Sequence, residues 1–239
     1  MKKSFAKSRR SGQTLSKISN PITLVDVKVN PEVVAYLQKA DEHMAAVGYT
    51  EHGYRHANLT ANIAHNIMEQ LRFPKRDAEL AAIAGYLHDV GNVVGRYDHG
   101  EASAFLVNSI LKDMGMDPLE IAVIMGAVGN HEEEKGDPVS NIASALILAD
   151  KSDVHHSRVR NPHMISFDIH DRVNYAAKKS FVRVNGKDKT ITLEVIIDTE
   201  VSKVMEYFEI FLSRMIMCQR AAKFLGCNFR LVINNVRFL

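Results

Sequence analysis

The 239-residue sequence has no tryptophan, only two cysteines and no long uninterrupted apolar run. Cys218 and Cys227 are too few for a disulfide framework, and they lack the paired spacing of a structural zinc site. No stretch approaches the ~20 apolar residues of a membrane span, and no apolar segment follows the basic N-terminus as in a secretory signal. We therefore expect a cytoplasmic protein without a membrane partner.

The sequence also has little excess charge of either sign. Thirty Lys and Arg residues face 28 Asp and Glu residues, for a net charge of +2. This balance does not favour nucleic acid as the partner. A hydrophobic fraction of 46% and a charged fraction of 24% exclude a wholly disordered chain. The length suits one large domain with a small appendage.

Three regions differ in character. The first twenty of residues 1–30 include six basic residues and no acid, and residues 1–30 are therefore predicted to form a flexible basic arm. The alternative for this arm is contact with RNA, DNA or an acidic partner. Residues 31–160 show helical periodicity throughout and predict an all-α bundle. Residues 161–239 change to strand-like alternation and predict a separate C-terminal subdomain.

Helix signals place the bundle elements along the chain. Leu59, Ile63 and Ile67 recur every four residues, so they share one helix face. Prolines at helix starts and stripes of small or apolar residues predict further helices. One begins at residue 31, and four cover residues 78–87, 102–114, 118–131 and about 141–153. The first of these four ends near Gly91.

The C-terminal region predicts a mixed α+β unit. Alternating residues flank Asn185-Gly186, a strong signal for a β-hairpin with a two-residue turn. A long helix over about 201–224 and a final strand over 229–233 follow. This helix is apolar on nearly all sides, so we expect it to be buried against its own chain or in a homodimer. The fold class is mainly α, with a small hairpin–helix–strand appendage.

Polar side chains stand where the apolar stripes of four helices would place the next core residue. Alone, each would be an ordinary core histidine or a paired aspartate. Together they indicate a cation site, because a buried carboxylate is costly unless it is paired or coordinated to a metal. The four residues are His56, His88, His131 and Asp150.

The adjacent pair His88-Asp89 adds a second cation. Neighbours on a helix point about 100° apart, so both residues serve one site only where the helix ends. An aspartate there can give one oxygen to each of two cations. His99, which we place on the connection to the next helix, is positioned to reach the second cation.

The ordered set of histidines and aspartates resembles the HD superfamily of metal-dependent phosphohydrolases over roughly residues 40–160. The most similar segments are Ala-Gly-Tyr-Leu-His-Asp-Val-Gly-Asn at 84–92 and Leu-Ile-Leu-Ala-Asp-Lys-Ser-Asp at 146–153. The resemblance implies an α-helical bundle that holds one or two divalent cations, with the six ligands of the two-metal type. The implied ligands are His56, His88, Asp89 and Asp150 for the first cation, and Asp89, His99 and His131 for the second.

Some residues depart from this pattern or stand beside it. His52 is the alternative first ligand, although it lies four residues too far from His88. Family members that cleave cyclic dinucleotides carry a double histidine and a Gly-Tyr-Pro segment. Here Asn130 replaces the first histidine and the tripeptide is missing, which argues against cyclic di-GMP as substrate. His155 and His156 fall beyond the ligand set and are expected at the surface.

Nitrogen and carboxylate ligands of this kind suit Fe, Mn, Co, Ni or Zn, whereas Mg prefers more oxygen ligands. Two such cations activate a water for hydrolysis. We therefore predict a phosphohydrolase that cleaves a phosphate ester, a nucleotide or a related metabolite. Asp89 is its central catalytic residue. The candidate helpers are Arg55, Arg96 and Lys151 for phosphate charge, Glu132 as an acceptor behind a ligand or as a proton shuttle, and Asp153 to orient Lys151 or a water.

Two other functions fit the same residues. A di-iron oxygenase of the superfamily uses the same four histidines and two aspartates, and oxygen consumption would separate it from a hydrolase. The other alternative is a non-catalytic sensor, in which the metal stabilises the bundle and the C-terminal unit binds a partner.

Overall fold

The computed structural model describes residues 20–161 and 168–239, so most of the predicted basic arm lies outside the described residues. The described part contains α1 (Leu24–Val29), α2 (Pro31–Ala46), α3 (Tyr54–Gln70), α4 (Lys75–Leu87), α5 (His99–Asp113), α6 (Pro118–Gly129), α7 (Asn141–Lys151), α8 (Ile169–Ala176) and α9 (Val204–Phe224). Its strands are β1 (Ala177–Asn185), β2 (Thr190–Ile197), β3 (Asn228–Ile233) and β4 (Val236–Arg237). Short 3₁₀ helices cover Val90–Val93 and His156–Arg158. None of these helices is long and apolar enough to span a bilayer.

Helix starts follow the capping residues of the sequence. Asn30 caps α2 by accepting from the Glu32 and Val33 backbone N–H groups, and Ser140 caps α7. Helix α5 has no side-chain cap. It begins at His99 rather than at 102, because Asp98 takes a left-handed conformation (φ 56°) and turns the chain into the helix. The expectation that His99 lies on a connection was therefore wrong.

Helix α1 lies within the range 1–30 that was predicted as an arm. Thr23 and Asp26 form a reciprocal capping box at its start. The Leu24 backbone N–H donates to Glu79 of α4, and Val27 is fully buried. The end of the predicted arm is thus a short helix that packs against the bundle.

The centre of the bundle is formed by α3, α4 and α7. Helix α7 is buried along most of its length, which explains its run of small and aliphatic residues. Gly85 permits the close approach of α4 to α3, since a Cβ there would lie 2.9 Å from the Ala61 Cα. The polar ends of these helices therefore meet inside the bundle.

The C-terminal sheet has the strand order β1-β2-β3-β4. Strands β1 and β2 are antiparallel, but β3 runs parallel to β2, with α9 as the connection. The hairpin turn is longer than predicted. Asn185 pairs with Thr190, so four residues intervene, and the Asn185 side chain accepts from the Lys187 and Asp188 N–H groups. The mainly α class with a C-terminal sheet is confirmed, whereas the term all-α does not fit the chain.

Helix α9 packs against α7 and β3 of its own chain. Its buried side chains include Tyr207, Phe211 and Met215. Leu212 and Ile216 remain about half exposed on the opposite side. Burial within the chain accounts for most of the apolar character of α9, and the homodimer stays a prediction.

Candidate metal centre

Four side chains converge at the first cluster. The Nε2 atoms of His56 and His88 lie 3.1 Å apart. Asp150 Oδ1 is 3.4 Å from His56 Nε2 and 3.7 Å from His88 Nε2. Asp89 Oδ2 is 3.6 Å and 3.4 Å from the same two atoms. Residues from α3, the end of α4 and the end of α7 thus surround one point, and His56 and His88 are fully buried.

The second cluster shares Asp89 with the first. Asp89 Oδ1 lies 3.1 Å from His99 Nε2 and 3.8 Å from His131 Nε2. The two Nε2 atoms of His99 and His131 are 3.1 Å apart. The carboxylate of Asp89 therefore presents one oxygen to each cluster. The structure brings all six residues implied by the resemblance together.

The opposite ring nitrogen of each histidine faces an oxygen acceptor. His56 Nδ1 lies 2.7 Å from Asp153 Oδ2. In the other three rings Nδ1 faces the backbone carbonyl of the residue three positions earlier in the chain. These carbonyls belong to Gly85 for His88, Arg96 for His99 and Val128 for His131. With Nδ1 as the donor, the neutral form of each ring carries its Nε2 lone pair toward the cluster.

This arrangement fits divalent cations. Two lone pairs 3.1 Å apart repel unless a proton or a cation lies between them. Ligands held ~2.0–2.1 Å from one ion are separated by roughly 3.0–3.4 Å, which matches the histidine pairs. Imidazole nitrogen with carboxylate oxygen is the ligand set of Fe, Mn, Co, Ni and Zn. The residues present could therefore hold a divalent metal.

Without a cation, the cluster shifts the pKa of its members in opposite directions. Burial opposes protonation of His56, but hydrogen bonds with Asp150 and Asp153 raise its pKa to about 9. Burial and the neighbouring His88 and His99 lower the pKa of His131 to about 3. Asp89 is buried, but the adjacent histidines hold its carboxyl pKa well below its usual range. The carboxylates are thus ionised and ready to bind a cation.

The local backbone sets the positions of these residues. Helix α4 ends at Leu87, before the expected stop at Gly91, and Asp89 begins the 3₁₀ turn. The Gly91 N–H donates to Ser103 Oγ, which holds this turn against α5. A Cβ on Gly91 would lie only 2.6 Å from that oxygen. The close packing of the turn on α5 brings Asp89 next to His99.

Two of the predicted helpers contact residues of the clusters. Lys151 is buried, and its Nζ donates to Asp150 Oδ2 at 2.7 Å, which leaves Oδ1 in the first cluster. Glu132 accepts from His99 Nδ1 and from the Gly100 N–H. Burial opposes ionisation of Glu132, but the bond with His99 lowers its pKa to about 2. So low a pKa suits an acceptor behind His99 better than a proton shuttle.

The two predicted arginine helpers lie in different surroundings. Arg55 pairs with Asp153 at 2.7 Å and with Glu51 at 2.8 Å, so it lies behind His56. Asp153 thus contacts His56 and Arg55; no bond to Lys151 is found in the described chain. Arg96 Nη1 lies 3.2 Å from His99 Nε2, at the mouth of the second cluster.

His52, His155 and His156 are not part of the two clusters, although the ring of His52 meets that of His56 edge to face at 5.6 Å. His52 donates from Nδ1 to the Thr50 carbonyl, and its Nε2 accepts from Arg158. His155 and His156 stack on each other outside the bundle. Asn130 ends α6, and its side chain donates to the Gly126 carbonyl.

A cavity of about 630 Å³ opens beside the second cluster, with His99 and Glu132 on its wall. Three arginines line it, namely Arg96, Arg158 and Arg214. Sequence reasoning missed the last two and also Glu133, whose pKa is lowered to about 2 because Lys151 and Arg214 outweigh the effect of its burial. A charged residue within the apolar helix α9 was the available signal for Arg214; Arg158 had none.

The fold and the site define an α-helical protein with a buried histidine–aspartate centre suited to divalent cations. Residues 53–155 match the HD domain family. All six clustered residues lie within this range. The similarity to this family therefore covers the part of the chain that holds the histidine–aspartate centre.

Two known proteins are similar to this chain. An uncharacterized protein of Methanocaldococcus jannaschii, MJ1020, is 29% identical over 205 residues, which cover 75% of this chain and 78% of the relative. The crystal structure of a predicted HD superfamily hydrolase from an uncultured Thermotogales bacterium is 23% identical, with a TM-score of 0.42. It covers 52% of this chain and 67% of its own.

Proposed function

We propose that the protein is a metal-dependent phosphohydrolase that cleaves a phosphate ester, either a nucleotide or a related metabolite. One observation carries the proposal: two clusters share the Asp89 carboxylate, and all four histidines turn Nε2 inward. The six-residue set is expected to hold two divalent cations.

Two divalent cations would lower the pKa of a water toward ~7 and neutralise charge on the phosphate. The protein's own part is to position the ligands. Lys151 holds Asp150 with Oδ1 in the cluster, and Asp153 fixes the ring of His56. Glu132 does the same for His99.

Arg96 is placed to bind the substrate phosphate. Its guanidinium lies 3.2 Å from His99 Nε2 in the cation-free protein. If His99 Nε2 held a cation, Arg96 would lack this partner and its guanidinium would be available to a phosphate oxygen. Arg214 is a second guanidinium on the cavity wall that an anionic substrate could reach.

The test is phosphate release from a panel of nucleotides and sugar phosphates by protein stripped of metal and reloaded with Mn, Fe, Co, Ni or Mg. Asp89→Ala should abolish release, whereas Asp113→Ala, an exposed aspartate at the end of α5, should leave it unchanged. The proposal is wrong if cations bind and no ester is cleaved in any metal form. Oxygen consumption by the reduced iron form would then favour the oxygenase.

A further inference from the structure

Helix α9 lies outside the residues that match the HD domain, yet it contributes Arg214 to the cavity wall. The Arg214 guanidinium stacks on Phe211 at 4.6 Å, and its Nε donates to Glu133 Oε1 at 3.0 Å. The two Nη groups make no hydrogen bond within residues 20–161 and 168–239. The stacked guanidinium is therefore held in place with two donors left unused.

The acids near Arg214 do not balance the nearby cations. Glu133 is shared, because its other oxygen accepts from Lys151 Nζ at 2.6 Å. Lys151 also bonds Asp150, whose charge a cation in the first cluster would take up. One carboxylate would then be left for Lys151 and Arg214 together. With the cation bound, this group of side chains would be short of one negative charge.

Arg158, on the same wall, is buried and makes its hydrogen bonds mainly to the backbone carbonyls of Glu51 and Asp153. The Asp153 carboxylate is 3.7 Å away and also serves Arg55 and His56. This cation too is only partly balanced. Neither Arg158 nor Arg214 therefore has a carboxylate to itself, although the whole lining holds six acids and four basic residues.

The other acids on the wall form no ion pair with Arg158 or Arg214 within the described residues. Asp98 pairs with Lys135, and Asp168 caps the first N–H groups of α8. Glu134 and Asp171 are the acids that remain on the wall. Neither forms an ion pair with an arginine in the part of the chain that the structure describes.

We propose that the substrate carries a second anionic group besides the phosphate that is cleaved, and that Arg214 binds this second group. The two unused Nη donors suit a bidentate bond to a carboxylate or a phosphate. Arg214 is thereby a specificity-determining residue, and the C-terminal region completes the substrate pocket. The inference rests on the proposed function for the location of the cleaved phosphate.

The experiment uses phosphonates, which cannot be hydrolysed. Binding of 3-phosphonopropionate and 4-phosphonobutyrate to the Mn²⁺-loaded full-length protein is compared, by calorimetry, with binding of propyl- and butylphosphonate. Propane-1,3-bisphosphonate shows whether a second phosphate is preferred to a carboxylate. A charge-assisted bond predicts that the two-anion ligands bind about tenfold tighter or better.

Four protein forms separate the contributions. The advantage of the second anion should disappear in Arg214→Ala and persist in part in Arg214→Lys. It should be unchanged in Arg220→Ala, which alters an exposed arginine of the same helix that pairs with Asp137. For any ester that is turned over, Arg214→Ala should raise KM about tenfold for two-anion substrates and change kcat less than twofold. Melting temperature and metal content check that each variant is folded and loaded.

The outcomes are distinct. If alkylphosphonates bind but the second anion gives no gain, or the gain survives in Arg214→Ala, this inference is wrong and the proposed function stands. If no phosphonate binds the loaded protein, both are wrong. If no ester is ever cleaved but the gain depends on Arg214, the binding role stands and the hydrolase proposal does not.

Discussion

Replacement of Asp153 by asparagine should weaken metal binding although Asp153 is not a proposed ligand. Its carboxylate accepts from His56 Nδ1 at 2.7 Å and from two nitrogens of Arg55 at 2.7 and 3.2 Å. An asparagine has one acceptor oxygen and one amide donor, so it cannot satisfy both partners. When its NH₂ faces His56, the ring proton moves to Nε2 and blocks the first cluster. When its oxygen faces His56, the NH₂ faces the Arg55 donors.

The expected loss follows from the role of Asp153 behind a ligand. Partners that fix the ring of a metal-binding histidine typically contribute 10- to 100-fold to affinity, or about 1.4–2.7 kcal/mol. Asp153 is only 2% exposed, so water cannot take its place. We expect Asp153→Asn to lower the affinity of the first cluster for its cation by an amount within this range.

The assay is competition for Mn²⁺ or Zn²⁺ against a chromophoric chelator, with the His56 tautomer followed by long-range ¹H–¹⁵N correlation spectra. The matched control is Asp41→Asn, which removes an aspartate paired with Arg160 but touches no clustered histidine ring. Unchanged metal affinity in Asp153→Asn, or an equal loss in both variants, would refute the reasoning.

Three other predictions concern packing, pH and thiol reactivity. Gly91→Ala should destabilise the protein by ~1–3 kcal/mol, because the added Cβ meets the backbone of α5. Gly95→Ala places its Cβ in open space, so its free energy of unfolding should stay within ~0.5 kcal/mol of the parent. Urea unfolding measures both. A hydrogen bond from Arg172 lowers the pKa of Glu206 to about 2. The ionised Glu206 carboxylate therefore contributes fully to stability above pH 4.5, and this contribution is lost as pH falls through about 2. Glu206→Gln should be ~0.5–1 kcal/mol less stable than the parent at pH 7 and equal to it near pH 2. Burial raises the pKa of Cys218 to about 12, so its thiol should react with a disulfide reagent only after unfolding.

Each of these has a contrary outcome. Equal stability of the two glycine variants would show that the 3₁₀ turn can move away from α5. A stability loss in Glu206→Gln that persists at pH 2 would mean that packing, not the ionised carboxylate, is responsible. Rapid reaction of Cys218 in the native protein would contradict its burial.

The bundle and the clustered residues could be predicted because both depend on local patterns. A histidine at the end of an apolar stripe, as at His56 and His131, keeps its place once the helix packs, and the adjacent His88 and Asp89 mark a helix end. The start of α5 was missed because it depends on a left-handed Asp98, which has no distinct sequence signal.

Contacts between distant segments could not be predicted in this way. Asp153 was expected to orient Lys151 or a water, but it reaches His56 across 97 residues. Arg214 meets Glu133 across 81 residues, and nothing near either residue indicates the pairing. The parallel pairing of β2 with β3 likewise depends on how α9 packs. Such features follow from the tertiary arrangement and not from periodicity.

The most direct test of the central claim is anomalous diffraction from crystals of the Mn²⁺-loaded protein. We expect two anomalous peaks on either side of the Asp89 carboxylate, one beside the Nε2 atoms of His56 and His88 and the other beside those of His99 and His131. Absence of a peak between these nitrogens, or a peak only at a surface site such as His155 and His156, would contradict the account.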